Sequence, residues 1–232
     1  MLLVLDTTTE WLHLALVGEG EAAFTRALKA EPGQSHSVLL LPALQGLLET
    51  ASLAPKELTG CVVCVGPGGF TSLRTGVATA EGLALTGLPV WGFSAFELRA
   101  KALRFLGVHE PLWVLLDGQR QETFAQRWGD QALNEAARWP LSALGSHVKG
   151  EPWWAPAGFR ERVEAALGRP GLGFEDEQEA TLQALVALGR EKAQGAPENP
   201  LIPFYLRETD AEMNFPQVSG HLSEALRRGQ AR

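Results

Sequence analysis

A glycine-rich segment between two regular elements is the first place in this sequence where chemistry is expected. It reads Val65-Gly66-Pro67-Gly68-Gly69-Phe70-Thr71 and joins an apolar, strand-like run to a helical pattern. Glycines let the backbone approach a ligand closely, and the free N–H groups of a helix start favour an anion. The segment lacks the Gly-Lys-Ser/Thr of a P-loop and the spacing G-x-G-x-x-G. Two interpretations stay open: a tight turn without a ligand, or a phosphate site. The candidate residues of that site are Gly66, Gly68, Gly69 and Thr71.

A second candidate lies at the end of the first apolar run, where Asp6 is followed by Thr7 and Thr8. This triplet resembles the phosphate hairpin of the actin/Hsp70-like ATPases. A carboxylate there can hold Mg²⁺ through water, and the hydroxyl groups can contact phosphate oxygens. We therefore add Asp6, Thr7 and Thr8 to the candidate nucleotide site.

No other set of side chains predicts catalysis. The five histidines show neither H-E-x-x-H nor an i, i+4 pair, and no G-x-S-x-G elbow occurs. Cys61 and Cys64 form a C-x-x-C, but they lie in a strand-like run, where residues three apart point to opposite faces. We interpret both as core residues. The sequence therefore predicts no catalytic residue and no direct metal ligand, apart from the Mg²⁺ that Asp6 could hold through water.

Composition limits the class of protein. The chain has 232 residues, 45% apolar and 20% charged, which suits one large globular domain or two small ones. Its net charge of −7 and pI near 5.3 argue against binding tRNA phosphates on its own. The longest uncharged helical run, residues 38–48, is shorter than the ~20 residues that a membrane span needs. With no signal-peptide pattern at the start, we expect a cytoplasmic protein.

The order of predicted elements is a strand meander followed by alternating helices and strands. Apolar alternation predicts strands within residues 2–28, and a period of three to four predicts a helix from residue 35. Residues 58–65 and 89–93 read as strands, residues 71–85 and 94–105 as helices, with Ser94 as a cap. We therefore predict a βββαβα lobe over 1–107, a smaller second lobe over 108–207 and a tail over 208–232. Residues 129–173 show little pattern, and 177–194 predict a helix.

The first two helices carry apolar or small side chains in rows. Such rows could face the parent sheet or a partner helix, and the sequence favours neither. The residues in question are Leu40, Ala43, Leu44 and Leu47 on the first helix, and Gly76, Ala80 and Ala84 on the second.

Several segments together resemble the TsaB (YeaZ) family. In that family the glycine run commonly reads G-P-G-S-F-T-G-L-R-I-G, close to residues 66–76 here. Agreement extends to the Asp-Thr pair near the start and to His36-Ser37 ahead of Leu40-Leu41-Pro42. Residues 117–124 resemble the family's D-A-R-x-x-E-V-Y segment, and residues 203–207 resemble its P-x-Y-L-R close.

The resemblance implies an α/β, two-lobed, actin/Hsp70-like fold of the ribonuclease-H type, with a mixed sheet and a reduced second lobe. It also implies an accessory subunit that pairs with the TsaD-type transferase and, in bacteria, the TsaE-type ATPase. That assembly transfers a threonylcarbamoyl group to N6 of adenosine 37 in tRNA. The chain would touch tRNA only indirectly, and no cofactor would be required beyond weak ATP or ADP binding with Mg²⁺ at the level of the complex.

The pairing surface implied by the family is formed by the first two helices, about 35–51 and 71–86, and would also make a homodimer when TsaD is absent. Its candidate residues are His36, Leu40, Ala43, Leu44, Leu47, Arg74, Gly76, Ala80 and Ala84. Two alternatives remain: an ATP-dependent phosphotransferase of the same superfamily, and a metallopeptidase of the M22 type that would use His36.

Overall fold

The computed structural model describes residues 1–20, 22–31 and 33–206. Two sheets organise this part of the chain. The first has five strands in the order β3-β2-β1-β4-β5, and the second has four in the order β8-β7-β6-β9. The strands are β1 Leu2–Asp6, β2 Trp11–Val17, β3 Ala23–Lys29, β4 Gly60–Cys64, β5 Val90–Phe93, β6 Leu112–Asp117, β7 Glu122–Trp128, β8 Ala137–Pro140 and β9 Trp153–Trp154.

Six α-helices cover these sheets within the described residues. They are α1 His36–Thr50, α2 Phe70–Ala84, α3 Ala95–Phe105, α4 Leu144–Val148, α5 Ala157–Leu167 and α6 Glu177–Lys192. Short 3₁₀ turns occur at Pro55–Glu57 and Leu141–Ala143. Ser94 caps α3 as predicted, because its hydroxyl accepts the N–H of Glu97 at 3.1 Å.

The first sheet is mixed, because β1 is antiparallel to β2 but parallel to β4, which is parallel to β5. With the helix order, this is the βββαβα lobe of the ribonuclease-H-like fold. The predicted α/β, actin/Hsp70-like fold class is therefore confirmed. The sequence did not predict three elements within residues 129–173, namely β8, α4 and β9. Strands β8 and β9 belong to the second sheet, and α4 packs on it.

The core has three apolar layers. One layer lies between the first sheet and the helices α1 and α2 that cover its outer face. Another lies between the second sheet and the helices α4 and α5 that cover its outer face. The central layer contains α3 and α6 between the two sheets. Cys61 and Cys64 fall in different layers, as strand alternation predicts. The division at residue 107 stays a prediction, since α6 comes from the second half of the chain and packs on β1 and β2.

Candidate functional site

The glycine run packs directly on the turn that follows β1. A Cβ atom added to Gly68 would lie 2.5 Å from both the Cβ and the carbonyl oxygen of Thr8. Gly69 donates its N–H to that same carbonyl at 3.1 Å. The absence of a side chain at Gly68 is therefore explained by contact with the chain's own backbone, and no ligand is needed to account for it.

Thr7 makes the next contact between the same two segments. Its hydroxyl donates to the carbonyl of Ser72 at 2.8 Å. A Cβ atom at Gly76 would lie 2.5 Å from that hydroxyl oxygen. Gly76, which the sequence assigned to a partner surface, is therefore buried beneath the first turn and lets α2 approach it.

Asp6 is fully buried and its two carboxylate oxygens are engaged by the chain itself. Oδ1 accepts the N–H of Thr8 at 2.9 Å and its hydroxyl at 2.6 Å. Oδ2 accepts a hydrogen bond from Nη2 of Arg99 at 2.6 Å and lies 3.5 Å from Nδ1 of His13. Burial by itself raises the pKa of a carboxyl group, but the Arg99 guanidinium, with His13 and Thr8, holds the pKa of Asp6 well below its usual range.

Asp6 is thus a permanent anion whose charge is neutralised inside the fold. A carboxylate offers about four lone-pair positions; three accept hydrogen bonds from Thr8 and Arg99, and His13 covers the remaining side, with its Nδ1 3.5 Å from Oδ2. A Mg²⁺ ion held through water would need one of those positions free. The side chain therefore does not fit the metal role that the sequence suggested for it.

A cleft of about 340 Å³ opens beside this turn, between the two sheets. Its walls come from the β1–β2 turn, the glycine run, the start of α2, the β6–β7 turn and the start of α5. The lining residues include Thr8, Glu10, Gly68, Gly69, Ser72, Asp117, Gln119, Pro156 and Gly158. Because three of the residues predicted for a nucleotide site line it, this cleft is the candidate nucleotide site.

The charges around the cleft are unfavourable for phosphate. Glu10 and Asp117 contribute carboxylates, and the lining within the described residues has no lysine or arginine. Arg162 reaches Asp117 from outside the lining, at 3.0 Å. Phosphate sites normally offer arginine, lysine or metal ions, so the side chains present do not suit a nucleotide triphosphate.

The seven predicted nucleotide-site residues separate into two groups. Thr8, Gly68 and Gly69 line the cleft. Asp6, Thr7 and Gly66 are buried, and Thr71 is exposed outside the lining. Gly66 has φ +109°, and a Cβ added to it would lie 2.8 Å from the carbonyl oxygen of Phe204. A glycine is therefore required here by the backbone conformation and by this close approach.

The predicted partner residues on the first two helices need correction. Leu40, Ala43, Leu44, Leu47 and Ala80 are buried in the core against the first sheet. His36 and Gly76 are also buried, and Ala84 is partly buried. These positions face inward because they share the stripe that covers the sheet, so a charge at Leu44 or Ala80 would disrupt the core. Whether the two helices bind a partner stays a prediction.

The outward faces of α1 and α2 carry a different set of side chains. Val38 and Leu41 on α1 are 63% and 64% exposed, and Leu85 at the end of α2 is 91% exposed. Phe70 at the start of α2 is 41% exposed. We call this surface the outer face; its residues are Val38, Leu41, Phe70, Thr71, Arg74, Thr75, Ala78, Glu81, Gly82 and Leu85. Arg74 is the one predicted partner residue that is exposed.

The buried histidine and cysteine side chains of the described part of the chain form no recognisable reactive or metal-binding group. Burial lowers the pKa of His36, with opposing contributions from Asp6 and the Trp11 backbone. Burial raises the pKa of the Cys61 thiol to about 12. Within the described residues, no three histidine, cysteine, aspartate or glutamate side chains are grouped to hold a metal ion.

Sequence reasoning missed Arg99, whose guanidinium occupies the side of the Asp6 carboxylate where a metal ion could have bound. It lies inside α3, in a run where an arginine looks like a surface residue, and it is buried with Asp6. Its Nη1 also contacts the hydroxyl of Thr181 on α6 at 3.5 Å. The pairing joins residues 93 positions apart, so no local pattern could reveal it.

Comparison with known proteins agrees with this geometry. A family model described as "TsaD: tRNA N6-adenosine threonylcarbamoyltransferase" matches residues 30–149. The tRNA threonylcarbamoyladenosine biosynthesis protein TsaB of Bacillus subtilis is 29% identical over 237 aligned positions, covering 92% of this chain and 97% of that protein.

Two solved structures from Pseudomonas aeruginosa share the fold. One is described as an uncharacterized protein with similarity to peptidase YEAZ: TM-score 0.67, 25% identity, covering 89% of this chain and 99% of the other. The other is YeaZ: TM-score 0.68, 24% identity, covering 88% and 99%. Fold and site thus define a TsaD-like protein of the actin/Hsp70-like class. Within that class, the chain belongs to the TsaB (YeaZ) family.

Proposed function

We propose that the chain acts in threonylcarbamoyladenosine biosynthesis as a non-catalytic subunit that binds a TsaD-type transferase. The biosynthetic role follows from the curated relatives named for it. The finer statement rests on one observation about this chain: its exposed apolar side chains are concentrated on one side. Of the eight large hydrophobic residues exposed in the described part, three lie on α1 and α2, a fourth directly follows α2, and two more lie on the adjoining 201–206 segment.

This concentration favours a binding surface. Apolar residues scattered singly over a surface need no explanation, whereas their concentration on two neighbouring helices favours an interface. Thr75, Ala78 and Gly82 lie between the larger residues along α2, and small side chains let a partner helix approach closely. When no TsaD-type subunit is present, we expect a second copy of the chain to cover the same face.

The cleft favours the non-catalytic part of the proposal. Asp6 is neutralised by Arg99, Asp117 in the lining is paired with Arg162, and the Glu10 carboxylate in the lining disfavours phosphate. We therefore expect at most weak nucleotide binding, with Mg²⁺, at the level of the complex. The phosphotransferase alternative would need a cationic lining that the described residues do not supply, and the metallopeptidase would need metal ligands grouped near His36. No helix in the described part of the chain has the length and apolarity to span a bilayer.

Light scattering on a sizing column tests the proposal, with the full chain alone and mixed with a TsaD-type subunit. A stable one-to-one species should form, and Leu41→Glu should prevent it. The matched control is Leu133→Glu, at an exposed leucine outside the outer face, 45% exposed, which should leave the species intact. No species with the wild-type chain, or equal loss with both variants, would contradict the proposal.

A further inference from the structure

Two segments that are far apart in sequence meet at one end of the outer face. Phe70 and Arg74 belong to the glycine-run motif, and Tyr205 belongs to the closing Pro-x-Tyr-Leu segment. The ring centroids of Phe70 and Tyr205 lie 5.6 Å apart. This contact joins two of the segments that resemble the TsaB (YeaZ) family.

Arg74 is held in place by these two rings. Its guanidinium carbon lies 3.8 Å from the centroid of the Phe70 ring, and its Nε donates to the Tyr205 hydroxyl at 3.3 Å. An arginine side chain loses rotamer entropy when it is fixed in one position. Because the fold already restricts Arg74, less of this loss remains to oppose binding.

The charge of Arg74 has no counterpart in the described part of the chain. Among the residues that the structure describes, no carboxylate forms an ion pair with it. This contrasts with Arg99, Arg127, Arg160 and Arg162, each paired with an acidic side chain. Other arginines, the exposed Arg26 among them, also lack a carboxylate partner in the described residues, so what distinguishes Arg74 is that two aromatic side chains orient its unpaired guanidinium.

Within the part of the chain that the structure describes, Arg74 uses only its Nε as a hydrogen-bond donor. Since Nε is used by Tyr205, the two Nη groups remain, and their fork matches the two oxygens of a carboxylate. The Tyr205 oxygen accepts from Arg74, so its own proton can be donated outward to the same carboxylate. An apolar pocket of about 80 Å³, lined in part by Phe70 and Tyr205, adjoins the pair.

We propose that Phe70, Arg74 and Tyr205 form a carboxylate anchor that receives an acidic side chain of the TsaD-type subunit. The anchor lies at the end of the outer face, so it extends the partner surface onto the 201–206 segment. The unpaired cation supplies the charge complementarity, and the adjoining pocket accepts an apolar neighbour of the acidic residue. This inference rests on the proposed function, because it names what that same surface selects.

The test is the dissociation constant of the full chain with a TsaD-type subunit. Arg74→Gln should weaken binding about tenfold to hundredfold, the range expected for hydrogen bonds to a charged group. Tyr205→Phe should weaken it about threefold to tenfold, and Arg74→Lys should restore part of the loss. Binding by Arg74→Gln should also depend less on salt concentration. The control is Arg138→Gln, which removes an exposed arginine on β8, and it should change affinity less than about twofold.

Two results would overturn the anchor. One is an unchanged affinity of Arg74→Gln for the TsaD-type subunit while Leu41→Glu still abolishes binding; the proposed function would then stand and the anchor would fall. The other is that Arg74→Gln alters only self-association, which would assign the carboxylate to a second copy, with Glu81 as its source. If neither Leu41→Glu nor Arg74→Gln weakened binding, the proposed function itself would fail.

Discussion

Two arginines, Arg99 on α3 and Arg74 on α2, show how differently the interior and the outer face of this fold are used. Arg99 is buried against Asp6 beneath the first turn, and its charge is satisfied within the fold. Arg74 is exposed on the outer face, held by Phe70 and Tyr205, with no carboxylate paired to it in the described residues. Charges that are paired inside contribute to stability and specificity of folding, whereas an oriented, unpaired charge outside is available for recognition. In the described residues, the predicted metal-binding carboxylate is thus engaged by the fold itself, whereas Arg74 presents an oriented charge on the outer face.

The largest effect should come from breaking the inner pair. Asp6→Asn leaves the Arg99 guanidinium buried without its anion, and we expect the free energy of unfolding to fall by about 3–5 kcal/mol. Urea denaturation measures this. The double variant Asp6→Asn/Arg99→Met should lose clearly less than the sum of the single variants, since it removes both charges. Additive losses would mean that the two side chains do not act as a pair.

An intermediate effect is expected where α2 touches the first turn. Gly76→Ala places a methyl group 2.5 Å from the Thr7 hydroxyl oxygen, and overpacking of this kind typically costs about 1–3 kcal/mol. Thr7→Ala should relieve part of that loss in the double variant. Gly82 on the same helix has open space around its Cβ position, so Gly82→Ala should be neutral or stabilising by about 1 kcal/mol. Equal losses at Gly76 and Gly82 would contradict the contact with Thr7.

The smallest effect concerns pH. The pKa of His36 is lowered in the fold, chiefly by burial, so the unfolded chain binds a proton that the folded chain rejects. Stability should therefore increase as pH rises from below 6.5 through that ordinary value, and be lost as pH falls. His36→Gln should show a shallower slope between pH 5.5 and 7.5 in urea denaturation. The exposed His109→Gln is the control and should keep the wild-type slope.

The fold was largely predictable from local patterns, and the site was not. Alternating and three-to-four periodicities located β1 to β5 and α1 to α3, and strand alternation placed Cys61 and Cys64 on opposite faces. The second lobe was harder because β8, α4 and β9 are short and have little periodicity. The rows on α1 and α2 could not be assigned a direction, since a stripe that covers a sheet and one that binds a helix have the same spacing. Arg99 and Tyr205 act through partners about 90 and 130 residues away, which no local pattern reveals.

Several sequence-based statements lie beyond these observations. Arg207 and the predicted tail 208–232 fall outside the described residues. The TsaE-type partner, the homodimer and the cytoplasmic location stay predictions. These last three predictions concern an assembly or a cellular compartment, whereas the contacts of the structure lie within one chain.

The most direct test of the account is tRNA threonylcarbamoylation reconstituted with a TsaD-type transferase and full-length variants of this chain. One pair alters the cleft, Glu10→Gln and Ser72→Ala, and the other alters the outer face, Leu41→Glu and Arg74→Gln. We predict near wild-type modification with the cleft pair, abolished modification with Leu41→Glu and reduced modification with Arg74→Gln at limiting concentration. Loss of modification with the cleft pair, together with full activity of the outer-face pair, would contradict the account and place the function of this chain in its cleft.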